Sequence, residues 1–592
     1  MGRIAIIIGV LSVLLLSSAR ADYHYASHEG TSEYPYTSWA TAADSVQKAI
    51  DAASAGDTIY VGSGVWEDIP YTLRDSCALI GMGIDSTIIR KEGRVDFLYT
   101  NNHVRIENFT FDGIDRTSNG VAIYNIYDNV NVIITHNKFI HIHEGFFGVI
   151  TGALVNNLFN DLDIAFDATW SACSLLVKNN TITNCHQAGI LAYNGFWHVE
   201  RNIFHHNPGT LSMLMLNFHQ TQDTAYVANN LFYNNQYSSP NVHAATLWLV
   251  GEGAINNTFI GPDDISDQSA IGISDNGDAY TTFSQNNTIS HFYAAFFIFQ
   301  YYQRIQLDVS YTNIWDVEYD HVYSPVDYNY LEGNLRVDPM FADTTSFQLQ
   351  AYSPLIDAGD PSILDVDGTR SDIGCYGGPG GLSYEYLDLA PAVPETLMAN
   401  IAEDSIIIAW NFNTEADFSH YFLWRDTLAG FEPSVFNLIA EPETCLYVDR
   451  DFDYDHNYYY RVAAADLQNN VSNYSAELAV ILTDITDLWD SNLPRVNKIT
   501  NNYPNPFNAQ TKINFYLADV GYQPASVQMY IYDVMGRLVR KLIDERRYPG
   551  EYSVIWDGRA DDGSAVTSGV YFVRLIVSDL ELVKPKKIIL IR

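Results

Sequence analysis

The chain has 592 residues and a formal net charge of −39, with 71 Asp and Glu against 32 Lys and Arg. Nucleic-acid phosphates need Lys and Arg to displace their counterions, so this balance excludes nucleic acid as a partner. Between Ile203 and Gln303 there is no Lys or Arg at all, so an acidic glycan could be held there only with help from a bound cation.

At the N-terminus Arg3 precedes an apolar run from Ile4 to Leu16, and Ala19-Arg20-Ala21 offers a small-x-small cleavage site before Asp22. This predicts a secretory signal peptide over residues 1–21, too short and wrongly flanked for a retained membrane span. No other run of about 18 uncharged apolar residues follows, so the mature chain is expected to carry no membrane span. Ser45-Val46-Gln47-Lys48-Ala49-Ile50-Asp51-Ala52-Ala53, Gly56-Asp57-Thr58-Ile59-Tyr60-Val61, Gly64-Val65-Trp66, Leu79-Ile80-Gly81-Met82-Gly83 and Thr87-Ile88-Ile89 follow.

A short phrase, Asn-x-aromatic/Ile, then recurs every 20 to 30 residues or so. It ends on Phe139, Phe159, Ile182, Phe204, Phe232, Phe259 and Ile289, with Phe111 opening the series and Trp315 of Asn313-Ile314-Trp315 closing it. β-Branched and aromatic residues alternate with polar ones, and Asn, Gly and Asp mark the corners, so each unit is strand-like. A unit too small to bury its own apolar face must stack on its neighbours. Roughly nine coils spaced about 4.8 Å apart make a rod on the order of 45 Å long. The Phe/Ile positions are expected to form an interior ladder, and the Asn two residues earlier to satisfy backbone groups at a corner.

After the repeats come Asp338-Pro339-Met340-Phe341, Ser353-Pro354-Leu355-Ile356-Asp357-Ala358-Gly359-Asp360, Asp372-Ile373-Gly374 and Gly377-Gly378-Pro379-Gly380-Gly381. This region resembles the right-handed parallel β-helix proteins of the pectate-lyase-like superfamily, and the resemblance implies that Ser45–Ala53 is the capping helix, Gly56–Val61 with Gly64–Trp66 the first strand, and Leu79–Gly83 with Thr87–Ile89 the first full coil. The resemblance implies an all-β solenoid over residues 22–385. Past Pro391 and Pro394, Ile406-Ile407-Ile408-Ala409-Trp410, Tyr421-Phe422-Leu423-Trp424-Arg425 and Tyr458-Tyr459-Tyr460-Arg461-Val462 are period-2 strands. They resemble a fibronectin type III sandwich over 389–485, which implies Trp410 as core indole and Tyr458 as corner tyrosine.

A polar linker, 486–498, leads to residues 499–592. There Tyr503-Pro504-Asn505-Pro506-Phe507, Gly536-Arg537-Leu538-Val539, Trp556-Asp557-Gly558, Gly569-Val570-Tyr571 and Lys584-Pro585-Lys586-Lys587 occur in order. This resembles the type A C-terminal sorting domain of the type IX secretion system. The resemblance implies that secretion machinery as a partner and delivery to the cell surface or medium.

Aligning coils on the Phe/Ile anchors puts His143, Asp163 and His186 at anchor plus four, and His141, Asp161 and His206 at anchor plus two, with Lys178 and Glu144 near in sequence. Imidazole and carboxylate at one-coil spacing can shuttle protons or bind a metal, so His143, Asp163, His186 and Lys178 are the candidate catalytic set. A solvated polar corner is the competing reading. Trp170, Tyr193, Trp197 and Trp248 are the aromatics chosen as sugar-stacking surfaces; Phe218, Tyr301 and Tyr302 are of the same kind.

The glycosidase set Asn-Thr-Asp, Asp-Asp, His-Gly, Arg-Ile-Lys is missing except for Asp263-Asp264, and no lyase motif surrounds Lys138, Lys178, Arg201 or Arg304. Asp365-Val366-Asp367-Gly368 hints at calcium, but an EF-hand would need Gly at Arg370 and Glu at Tyr376, and a structural turn fits better. The metal is therefore left unassigned, with calcium the cofactor left open. Two functions compete. One is an exported surface protein that binds extracellular polysaccharide; the other is a polysaccharide lyase or glycoside hydrolase. The five cysteines lack a C-x-x-C pair and are expected to be buried apolar residues.

Overall fold

The computed structural model describes residues 21–591 except 68–70, 92–95, 101–102, 115–119, 126–130, 149–150, 169–172, 210–211, 218–223, 237–243, 250–252, 263–267, 275–279, 300–304, 323–326, 403–404, 454–455, 483–496, 519–524, 549, 578–582 and 584. The expected signal peptide falls almost wholly outside them. No helix among the described residues is long and apolar enough to cross a membrane. The described chain divides into two compact units, residues up to 335 with 355–384, and 336–354 with 385–591. The stretch 336–354, read from sequence with the solenoid, thus groups with the second unit.

The first unit is a parallel β-helix built on a 13-stranded and an 18-stranded sheet, each paired in parallel. The Phe/Ile anchors lie one above another. Trp66, Ile89, Phe111, Phe139, Phe159, Ile182, Phe204, Phe232, Phe259, Ile289 and Ile314 are direct register partners in turn, so Ile314 and not Trp315, which pairs with Ser290, closes the ladder. Strand spacing dictates ring spacing. Phe139 and Phe159 stack at 4.7 Å and 5°, and Phe232 and Phe259 at 4.8 Å and 4°. The facing sheet supplies an aliphatic column, Ile106, Ile134, Leu154, Val177, Val199 and Val227.

An Asn column stands at the corner before each anchor from Phe139 to Ile289, while Phe109 and Thr312 take that place before Phe111 and Ile314. Asn202 is typical: its Nδ2 donates to Val177 O at 2.9 Å, to Glu200 O at 3.2 Å and to Asn230 Oδ1 at 3.0 Å. Its own Oδ1 accepts the Asn180 backbone N–H and Asn180 Nδ2, both at 2.9 Å. The same linkage runs through Asn137, Asn157, Asn180, Asn230, Asn257 and Asn287. The residue before each, from His136 and Asn156 through Asn286, holds a left-handed φ of 52° to 58°. That conformation turns the corner, and the buried amide row satisfies the backbone groups that the turn strands.

Helix Val46–Ala52 buries Val46, Ala49 and Ile50 in the solenoid core, beside a strand not foreseen, Tyr23–Ala26, which pairs with Thr58–Val61. The segment 355–384 returns over the outer Asn residues. Asn229 Nδ2 donates to Cys375 O at 3.0 Å, and Asn256 Nδ2 to Asp372 O at 3.0 Å. Gly380 is needed for this close approach, because a Cβ there would stand 2.4 Å from Asn229 Oδ1. The Asp365 carboxylate is used in the turn, accepting the N–H groups of Asp372 and Gly378. All five cysteines are buried and unbridged.

In the second unit, strands Met398–Ala402, Ser405–Ala409 and Leu446–Asp449 form one antiparallel sheet. Leu438–Ala440, Phe418–Asp426, Tyr458–Asp466 and Leu478–Val480 form another. Three strands on four around a fully buried Trp410 is the sandwich expected of a fibronectin type III module, and the Tyr458 hydroxyl accepts the Asp453 N–H at 2.9 Å. The C-terminal domain repeats the three-on-four plan around Phe507, Phe515, Met529, Trp556 and Val573.

Its two ends are joined. Asn505 Oδ1 accepts the Ile589 N–H at 2.8 Å, the Phe507 N–H donates to Ile589 O at 2.9 Å, and the Ile591 N–H donates to Phe507 O at 2.8 Å. Tyr571 packs on Trp556 at 5.1 Å, and Lys586 Nζ reaches Thr500 O at 2.7 Å. Gly536 takes a φ of 75° in an open turn, Gly569 starts strand Gly569–Val577, and Lys587 and Tyr503 are exposed.

Candidate functional site

The predicted acid–base residues lie beyond the second corner of each coil, where the chain leaves the anchor strand. His141, Asp161, Asn184, His206, Asn234, His291 and Asp316 occupy that corner with φ of 51° to 60°. The turn aims these side chains outward, and neighbouring coils pair them. Arg90 Nε donates to Asp112 Oδ2 at 2.9 Å, His141 Nδ1 lies 2.9 Å from Asp112 Oδ1, and His186 Nε2 lies 3.1 Å from Asp161 Oδ1. Two residues further on, His143 Nδ1 sits 2.6 Å from Asp163 Oδ2, and its Nε2 lies 3.5 Å from Glu144 Oε1.

His143 and Asp163 are therefore brought together, whereas His186 bonds the corner Asp161. Lys178 is not part of this group. It ends strand Cys173–Lys178 of the other sheet, on the far side of the Asn179–Asn180 corner, with Nζ 3.0 Å from Glu200 Oε1. Burial works against ionisation of Glu200, but hydrogen bonds from His198 and Lys178 outweigh it and bring its carboxyl down to about 2. That is a closed ion cluster.

Glu144 is the titratable group the anchor alignment undervalued. Burial pushes its carboxyl up to about 7, the Asp167 carboxylate adding to the effect and His143 opposing it. Asp167 lies between Phe166 and Ala168, which both face the interior core, so its side chain faces outward. The same alternation places a whole column on the outer face of the 18-stranded sheet: Tyr99, Tyr124, Phe147, Asp167, Leu191, Met215, Trp248, Gly272 and Phe297 in direct register. At one end Tyr99 donates to Asp96 Oδ2 at 2.9 Å, and Tyr124 and Phe147 stack at 5.3 Å and 11°.

In the middle, Ile164, Ala188 and Leu191 with Met215 form an apolar cluster separate from the core. At the other end the Trp248 indole lies over Gly272, where a Cβ would stand only 2.3 Å from Cε3, and donates through Nε1 to Ser274 Oγ at 3.0 Å. Phe297 completes that end, 5.7 Å from Trp248. Ile164, Leu191 and Phe297 are less than one-tenth exposed although they face away from the core.

Of the aromatics chosen from sequence, Trp248 stands on this strip. Trp197 does not. It is 2% exposed, packs against Phe166 inside the core at 5.7 Å, and bonds Asn194 O, because its strand turns that position inward. Trp170, Phe218, Asp263, Asp264, Tyr301, Tyr302 and the Tyr193 side chain lie outside the described residues. Tyr124, Phe147 and Asp167 were passed over; their signal was the alternation of outward residues within the longest strands. No metal-ligating triad of His, Cys, Asp or Glu occurs on this face among the described residues.

A family model for the secretion system C-terminal sorting domain matches residues 501–591. The chain is thereby marked for export through the type IX secretion system to the cell surface or the extracellular space. No curated protein matches the chain. Among solved structures, the A-module of the mannuronan C-5 epimerase AlgE6 from Azotobacter vinelandii is 16% identical, with a TM-score of 0.30, covering 50% of this chain and 94% of its own. The FN1–FN3 domains of chicken CNTN1 are 12% identical with a TM-score of 0.14, covering 35% and 70%. A two-domain fibronectin type III segment of chicken tenascin is 12% identical with a TM-score of 0.13, covering 34% and 99%. The fold described above rests on the strand pairings themselves.

Proposed function

We propose that this exported β-helix protein binds an extracellular polysaccharide along the outer strip of its 18-stranded sheet. The observation that carries the reading is the register column of flat and apolar side chains, with the half-buried Tyr124 and Phe147 at one end and Trp248 at the other. Successive sugar rings present apolar faces that aromatic side chains stack against, with polar edges for hydrogen bonding. Retention of the full chain on a polysaccharide panel, with and without calcium, tests it. Trp248→Ala is expected to weaken retention at least tenfold, while Phe283→Ala on the other sheet leaves it unchanged. No retention on any member of a broad panel would overturn the reading.

A second reading, cleavage of the glycan as a lyase or glycoside hydrolase, is favoured by one observation. A carboxyl pushed to about 7 stands beside an imidazole held by a second carboxylate, and that is the protonation state a general acid needs. New reducing ends or the absorbance of unsaturated uronides would reveal it, and Glu144→Gln should then lower the rate by about 10²–10⁴-fold. Retention without either product leaves binding alone.

A further inference from the structure

In the second unit three carboxylates converge without a cation. Asp388 lies on the segment leading to strand Met398–Ala402, Asp417 just before strand Phe418–Asp426, and Asp466 at the end of strand Tyr458–Asp466. One oxygen of each lies within 4.8 Å of the other two. Asp417 is 6% exposed and Asp466 1%. None of the three forms an ion pair with Lys, Arg or His among the described residues.

Two of the carboxylates have neutral partners. Asp466 accepts the backbone N–H groups of Gln468 and Asn470 on Oδ1, and Asn470 Nδ2 on Oδ2 at 2.9 Å; the same Nδ2 reaches Asp388 Oδ1 at 2.9 Å. Asp417 differs. Its buried carboxylate receives no hydrogen bond from any other residue among the described ones, yet it faces the other two. Glu415 beside it keeps a buried Oε2 without a partner. A buried carboxylate with no donor beyond its own backbone N–H is expensive, and three together repel one another.

We propose that Asp388, Asp417 and Asp466 form a binding site for a hard divalent cation of the calcium class. All donors are oxygens and the set lacks imidazole and thiolate, which selects calcium or magnesium over zinc or copper. The ion clasps three stretches distant in sequence: the entry segment around 388, the loop before 418 and the turn after 466.

Titration calorimetry of the full chain with Ca²⁺, then Mg²⁺, at 150 mM salt tests the site. Asp417→Asn and the exposed-position Asp388→Asn serve as variants. One stoichiometric Ca²⁺ event is expected above the diffuse weak binding of so acidic a chain, and both variants should lose it. Ca²⁺ should raise the Tm of the unmodified sandwich transition by about 4 °C and leave that of Asp417→Asn unchanged. In chelator the order reverses: Asp417→Asn melts higher than the unmodified chain because a repulsion is gone. A carboxylate with a purely structural role would instead lower Tm in both conditions, which overturns the proposal. So does stoichiometric binding that survives in both variants.

Discussion

At the first corner a left-handed residue is followed by Asn in seven successive coils, from Asn137 to Asn287, and every one of those amides is buried. At the second corner the left-handed residue itself changes, from His141 to Asp161, Asn184, His206 and Asn234, and the residue after it changes as well, from Ile142 and Leu162 to Cys185 and Asn207. The backbone conformation is the same at both. At both corners the residue after the left-handed one is buried; what differs is what fills that place, an amide that satisfies stranded backbone groups at the first corner, and Ile142, Leu162, Cys185 or Asn207 in turn at the second. Repetition therefore marks the part of the coil that holds the fold, and variation marks the part free to carry chemistry.

Breaking the first corner should cost most. Asn202→Ala removes three donated and two accepted hydrogen bonds in a buried row and is expected to lower stability by about 4 kcal/mol, read by urea unfolding of the full chain. Next is Glu144, beside the second corner. Its folded carboxyl titrates at about 7 against 4.5 unfolded, so the fold holds a proton that the unfolded chain releases. Stability from this group is complete below pH 4.5 and falls as pH rises toward 7, by up to about 3 kcal/mol. Glu144→Gln should flatten that slope in melts across the range.

Gly272→Ala, under the Trp248 indole, should cost about 2 kcal/mol by overpacking and shift tryptophan emission as the ring is displaced. The smallest effect belongs to the second corner proper. Asn234→Ala loses only the left-handed preference of Asn, about 1 kcal/mol or less, in the same urea assay. If Asn234→Ala matched Asn202→Ala, the distinction between the corners would fail.

The ladder was legible because its phrase is local: three residues carry corner, amide and anchor together, so counting along the chain finds each rung. The pairing of His143 with Asp163 followed from the same count. Lys178 went astray because nearness in sequence says nothing across a corner, and Asn179–Asn180 sends it to the other sheet. Glu144 and Gly145 break strict alternation, Glu144 facing outward and Gly145 turned toward Phe159, so counting by twos did not place Glu144 beside Asp167. Trp197 shows the converse. A large indole suggests a surface platform, but its strand alternation, Phe196 out and Trp197 in, places it inside.

The amides of the Asn row all point one way, each Nδ2 donating to the Oδ1 of the coil that follows it. Such a file of aligned dipoles does not cancel. It gives the rod an electrical polarity along its axis, positive toward the later coils, and each link polarises the next. An interruption halfway along should thus weaken partners on both sides, and the same substitution at either extremity should disturb only one.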